Sequence, residues 1–111
     1  METKMKKLLF LTSTIVLSTL IAGSVQAAEK PSVELGEKLF NNPVLGGTGN
    51  TKSCNSCHPG GKGLEDAGSN PKLAVIINRC ITGPLGGKAL KDNSIEMQSV
   101  TLYIKSLKDK K

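Results

Sequence analysis

The run Cys54-Asn55-Ser56-Cys57-His58 narrows what this chain can fold around more than anything else in it. It is the C-x-x-C-H pattern of covalent haem attachment. Two thiols three positions apart can each form a thioether to one of the two vinyl groups of a single haem. The adjacent imidazole is then placed to meet the iron as the proximal ligand. Context excludes two other uses of paired cysteines. A thioredoxin-like site needs a βαβ setting, which the surrounding sequence does not offer. A zinc site needs four ligands, and no second C-x-x-C and no histidine pair follows. Cys54 and Cys57 are the expected points of attachment, and His58 the expected iron ligand.

His58 is the only histidine in the chain, so a haem held by two histidines of one molecule is excluded. The second axial ligand comes from another residue type or is missing. Cys80 is the leading candidate. Once Cys54 and Cys57 are bonded to haem, it has no partner for an intramolecular disulfide, and an exported chain with such a thiol calls for a specific explanation. An iron-bound thiolate needs no proton, and Arg79 beside it favours the anion further. Met97 is the alternative, although its place on an apolar helix face also suits core packing. Water, Lys, Asn or no ligand at all is the third possibility. A thiolate would lower the reduction potential and a thioether would raise it.

The chain opens with Lys4, Lys6 and Lys7, an apolar stretch from Leu8 to Ala22, and the small-x-small pattern Val25-Gln26-Ala27. This order predicts a secretory signal peptide over residues 1–27, cleaved after Ala27. The apolar stretch, about 15 residues, is short of the roughly 20 that a spanning helix needs, so no membrane span is expected after cleavage. Residues 28–111 then form one domain in the periplasm, where this attachment chemistry belongs. With no Trp, two Phe and one Tyr, a chain this small cannot fill its core by aromatic burial. A non-protein group is expected there. The net charge is +6, but the lysines are scattered and no aromatic residues interleave with them. That argues against nucleic acid and suits docking to redox partners with acidic surfaces.

Periodicity predicts three helices. The first, about Ser32 to Phe40, carries Val33, Gly36 and Phe40 on one face. Gly36 weakens that helix, and its use is close approach to a neighbouring backbone. Asn41-Asn42-Pro43 ends the helix, and Gly46-Gly47-Thr48-Gly49-Asn50 forms a loop into the haem motif. The second starts with Asn70 as cap and Pro71 at its first position, followed by Leu73, Ile76, Ile77 and Cys80 along one face. The third begins at Asn93, with Glu96 completing a variant capping box. Met97, Val100, Ile104 and Leu107 make its buried stripe, flanked by Leu102 and Tyr103.

The order of these parts (a helix with Gly36 and Phe40, then Cys54-x-x-Cys57-His58, a middle helix, and a last helix with Tyr103-Ile104) resembles a class I cytochrome c domain over essentially all of residues 28–111. The resemblance implies an all-α, small cytochrome c-like fold of three to four helices packed around one covalent haem. It also implies a close crossing of the first and last helices beside that haem. The run Ile77-Asn78-Arg79-Cys80, with Gly87-Lys88-Ala89-Leu90, Ser94, Glu96-Met97 and Tyr103, is similar to thiosulfate dehydrogenase haem domains and to the cytochrome subunit of the sulfur-oxidising multienzyme system. That similarity implies that Cys80 ligates iron opposite His58. The expected function is one-electron transfer between respiratory or periplasmic redox partners, without catalytic residues and so not as an enzyme. The alternatives are a haem subunit or enzyme of inorganic sulfur (thiosulfate) oxidation using Cys80, and a haem sensor or gas-binding module with an open sixth position.

Overall fold

The computed structural model describes residues 29–47 and 51–111. The expected signal peptide and Thr48-Gly49-Asn50 of the glycine-rich loop lie outside the described residues. Four α-helices follow in order: α1 (Val33–Phe40), α2 (Cys54–Cys57), α3 (Leu73–Thr82) and α4 (Ile95–Ser106). Short 3-10 turns lie at Pro59–Gly61, Ala67–Ser69 and Leu107–Lys110, and no strand occurs among the described residues. The fold is all-α and cytochrome c-like, as expected.

Two serines set where the packed helices begin. The Ser32 hydroxyl accepts the N–H of Leu35 at 3.0 Å, which satisfies an otherwise orphan donor at the start of α1. At the start of α4 the cap is Ser94, not the expected Asn93. Ser94 has extended backbone and its hydroxyl accepts the N–H of Met97 at 3.1 Å. Asn93 instead offers its backbone carbonyl to the Gln98 side chain at 2.9 Å. The start of α3 also differs from expectation. Asn70 Oδ1 accepts the N–H of Lys72 at 2.8 Å, closing an Asx turn, so the helix proper begins at Leu73.

α1 packs on α4 through Gly36. A Cβ at this position would overlap the Ser99 carbonyl oxygen and come within 2.7 Å of Tyr103 Cβ. The two backbones therefore meet with nothing between them. One turn on, Phe40 and Tyr103 pack as a tilted pair, ring centroids 5.0 Å apart and planes at 58°. The Ser99 hydroxyl, fully buried at the crossing, accepts the Ser32 N–H at 3.2 Å. Among the described residues no buried side-chain polar atom is left without a partner.

The expected stripe of the last helix, Met97, Val100, Ile104 and Leu107, is buried throughout. Tyr103, expected at its flank, lies in the core, whereas Leu102 is exposed. The expected face of α3 divides. Leu73 and Ile77 enter the core together with Ile81, which the expected face leaves out, whereas Cys80 is exposed. Ile76 and Cys80 line a cleft instead.

Candidate functional site

The C-x-x-C-H run folds as one helical turn followed by a tight return. The N–H of Ser53 donates to Ser56 Oγ at 2.9 Å, and the N–H of His58 donates to the Cys54 carbonyl at 3.0 Å. With α2 closed in this way, Cys54 and Cys57 stand one turn apart on the same wall of the cleft. The motif's variable residue Asn55 is not idle, because its Oδ1 accepts the N–H of Gly60 at 2.8 Å and draws the return back onto the turn. Gly60, Gly61 and Gly63 have φ of 62°, 81° and 88°, the left-handed region that favours glycine.

This return carries the Lys62 carbonyl to 3.0 Å from His58 Nδ1. A carbonyl oxygen can only accept, so the bond assigns the ring proton to Nδ1 and leaves a lone pair on Nε2. An imidazole fixed in tautomer and orientation by a backbone carbonyl is a prepared metal ligand. Gly61 is buried against Leu107, where a Cβ would meet Leu107 Cδ2 at 2.6 Å. The return is therefore pinned to the end of the last helix.

The cleft holds about 690 Å³ of empty space, its mouth included. Its walls are Phe40, Leu64, Ala67, Leu73, Ile76, Ile77, Pro84, Leu85, Val100 and Ile104, with Ser53 the one hydroxyl. All three cysteines and the only histidine line it. Two thiols a helical turn apart, an oriented imidazole beside them and an apolar chamber fit a covalently held porphyrin. A bare metal ion fits poorly: among the described residues no group of three or more His, Cys, Asp or Glu is arranged to hold one.

Cys80, at the end of α3, faces this same cleft. Met97 does not. With Ser94 as cap, Met97 falls in the first turn of α4, 1 % exposed, beside a separate surface groove shared with Pro31, Ala74 and Thr101. Leu64, Ala67, Pro84 and Leu85 belong to the cleft but lie outside any helical repeat, so periodicity does not single them out.

Burial, and then the neighbouring Cys80 thiol, push the Cys54 thiol up to about 11. Cys57 and Cys80 are exposed. In haem-free protein at pH 8, the thiolate share of Cys54 is expected to fall about a hundredfold below that of an ordinary cysteine. Iodoacetamide labelling followed by peptide mass analysis should find Cys54 modified last. Equal labelling of all three would contradict the buried setting.

The family model for di-haem cytochrome c peroxidase matches residues 30–110. No curated protein and no solved structure matches the chain. The c-type cytochrome character is thus shown, but the match falls on neither the single-haem class I group nor the sulfur-oxidation proteins. It also overturns the expectation of a carrier that is not an enzyme, because the matching family is one of enzymes. The physical reason is that C-x-x-C-H specifies the covalent bonds and one axial ligand only. What reaches the iron's other face, and where its electrons go, is decided elsewhere in the fold. No helix among the described residues is long and apolar enough to cross a membrane.

Proposed function

The chain belongs to the di-haem cytochrome c peroxidase family, and from that premise we propose that it works in peroxide reduction as an electron-delivering haem domain. Cys54 and Cys57 would hold the haem through thioethers, His58 Nε2 would be the proximal ligand, and Cys80 the second axial ligand. When bound, the haem supplies a one-electron couple. The chain's own residues do the rest. The Lys62 carbonyl keeps the His58 proton on Nδ1. Leu73, Ile77, Leu85, Val100 and Ile104 exclude water from the cleft.

The observation that favours delivering electrons over cleaving peroxide is the chemistry of the walls. Reduction of hydrogen peroxide breaks the O–O bond and forms two waters, consuming two electrons and two protons. An efficient site needs a positioned acid or base at the breaking bond. Apart from His58 and the thiols, the described cleft residues offer only Ser53 and apolar groups. The chain has one C-x-x-C-H, so it contributes one electron at a time, and the second one-electron centre of a di-haem arrangement lies outside that motif. A reduced cytochrome would be the electron donor. Exposed Lys52 and Arg79 adjoin the cleft residues Ser53 and Cys80 in the chain, and they suit a partner with an acidic docking surface. The periplasm is the compartment, with residues 1–27 as the export signal.

Peroxide clearance by cells tests this reading. A strain lacking the chain should clear added hydrogen peroxide more slowly than its parent. The wild-type gene should restore clearance and the His58→Ala gene should not. Unchanged clearance in the deletion strain would remove the link to peroxide. Fast, saturable peroxide turnover by the purified haem-loaded chain alone would move the bond-breaking step onto this haem.

A further inference from the structure

Asn78 makes a pair of hydrogen bonds that the proposed chemistry does not yet use. It lies half-buried on α3, and its amide engages both backbone groups of Leu90: Oδ1 accepts the Leu90 N–H at 2.8 Å and Nδ2 donates to the Leu90 carbonyl at 2.9 Å. A side-chain amide used in this way stands in for a neighbouring strand. The segment it grips, between α3 and α4, has no regular structure and supplies Pro84 and Leu85 to the cleft.

The other anchors of that segment lie nearer its start. The Leu85 N–H donates to the Cys80 carbonyl at 3.1 Å and the Gly87 N–H to the Ile81 carbonyl at 2.7 Å. The Lys88 N–H then donates to the Gly46 carbonyl at 2.8 Å. Asn78 is the side chain that closes the far end, and it does so from the helix turn that also presents Cys80. One residue thus ties together the candidate ligand's helix and the irregular wall beside it.

We propose that Asn78 is a positioning residue: by clamping Leu90 it steadies the Pro84–Leu85 wall beside Cys80 and so limits how readily a small exogenous ligand displaces Cys80 at the iron. This rests on the reading of the cleft as a haem site. Loss of the clamp leaves the haem attachments, the His58–Lys62 contact and the anchors at Leu85, Gly87 and Lys88 in place, and it loosens the segment from its Leu90 end.

The experiment compares haem-loaded wild type with Asn78→Ala, Asn78→Asp and Ser32→Ala. The readout is the rate of cyanide binding to the oxidised haem, at a temperature where all remain folded. Asn78→Ala should bind about thirtyfold faster, the scale of two lost hydrogen bonds in a local opening. Asn78→Asp keeps the acceptor for Leu90 N–H and should fall between. It also carries the test if the alanine variant fails to fold. Ser32→Ala, which removes the cap of α1 away from the segment, should lower the melting temperature and leave the rate unchanged. Wild-type cyanide kinetics in both Asn78 variants would overturn the clamp, whatever their stability. A wild-type chain that takes up no haem in a host with the attachment machinery would instead overturn the reading of the site itself.

Discussion

Gly36→Val should leave little folded protein, and Gly36→Ala should unfold at markedly lower urea concentration than wild type. The contact responsible is backbone against backbone. A Cβ at position 36 meets the carbonyl carbon of Ser99 at 2.6 Å as well as its oxygen. Neither helix can yield by changing a rotamer. The alternatives are to push α1 off α4 or to distort α4, and both break the Phe40–Tyr103 pair packed one turn away. Overfilling a packed core costs about 1–3 kcal/mol and occasionally more. Where the obstacle is main chain, alanine belongs at the upper end, about 3 kcal/mol, and valine beyond it. Against the roughly 5–15 kcal/mol total of an ordinary domain, that is a large share. Val33→Ala is the control, since Val33 is an exposed residue of the same helix and surface changes fall within about 0.5 kcal/mol. If Gly36→Ala were as stable as Val33→Ala, the close crossing described here would be wrong.

Gly36 also shows what the sequence could convey. A glycine inside a helical repeat has a cost that only a close neighbour explains, so the crossing was legible before any coordinates. The α4 stripe was legible for the same reason, because four apolar residues at helical spacing have one common face. Start positions were less so. Asn93 and Ser94 both have capping side chains, and only backbone direction decides between them. By helical spacing Tyr103 falls beside the stripe, whereas the close approach at Gly36 takes its ring into the core. Met97 could not be assigned by residue type, since a methionine packs in a core as readily as it ligates iron. The enzyme family lay further out of reach. It depends on what surrounds the iron's second face and on a second redox centre, and no local motif encodes either.

In the oxidised haem-loaded protein, Cys80→Ala should convert a low-spin spectrum to a high-spin one, and Met97→Ala should not. The two sulfur-bearing side chains have opposite environments. Cys80 shares the cleft with His58, Cys54 and Cys57, whereas Met97 is packed in the core away from all of them. To reach the cleft, Met97 would have to leave the first turn of α4, where its own N–H is held by Ser94 Oγ. Its removal should therefore appear as stability, about 2–5 kcal/mol for a buried methionine cut to alanine, with the spectrum intact. If Cys80 is the proposed thiolate ligand, its removal should leave the iron an open position that binds carbon monoxide readily when reduced, and the potential should rise. Cys80 is exposed in the haem-free chain and contributes little packing, so any stability lost would be that of the iron–sulfur bond. The spectrum therefore separates the two variants. A wild-type protein that is already high-spin would show that Cys80 does not reach the iron. A spin change in Met97→Ala alone would require a rearrangement of α4 that the Ser94 cap argues against.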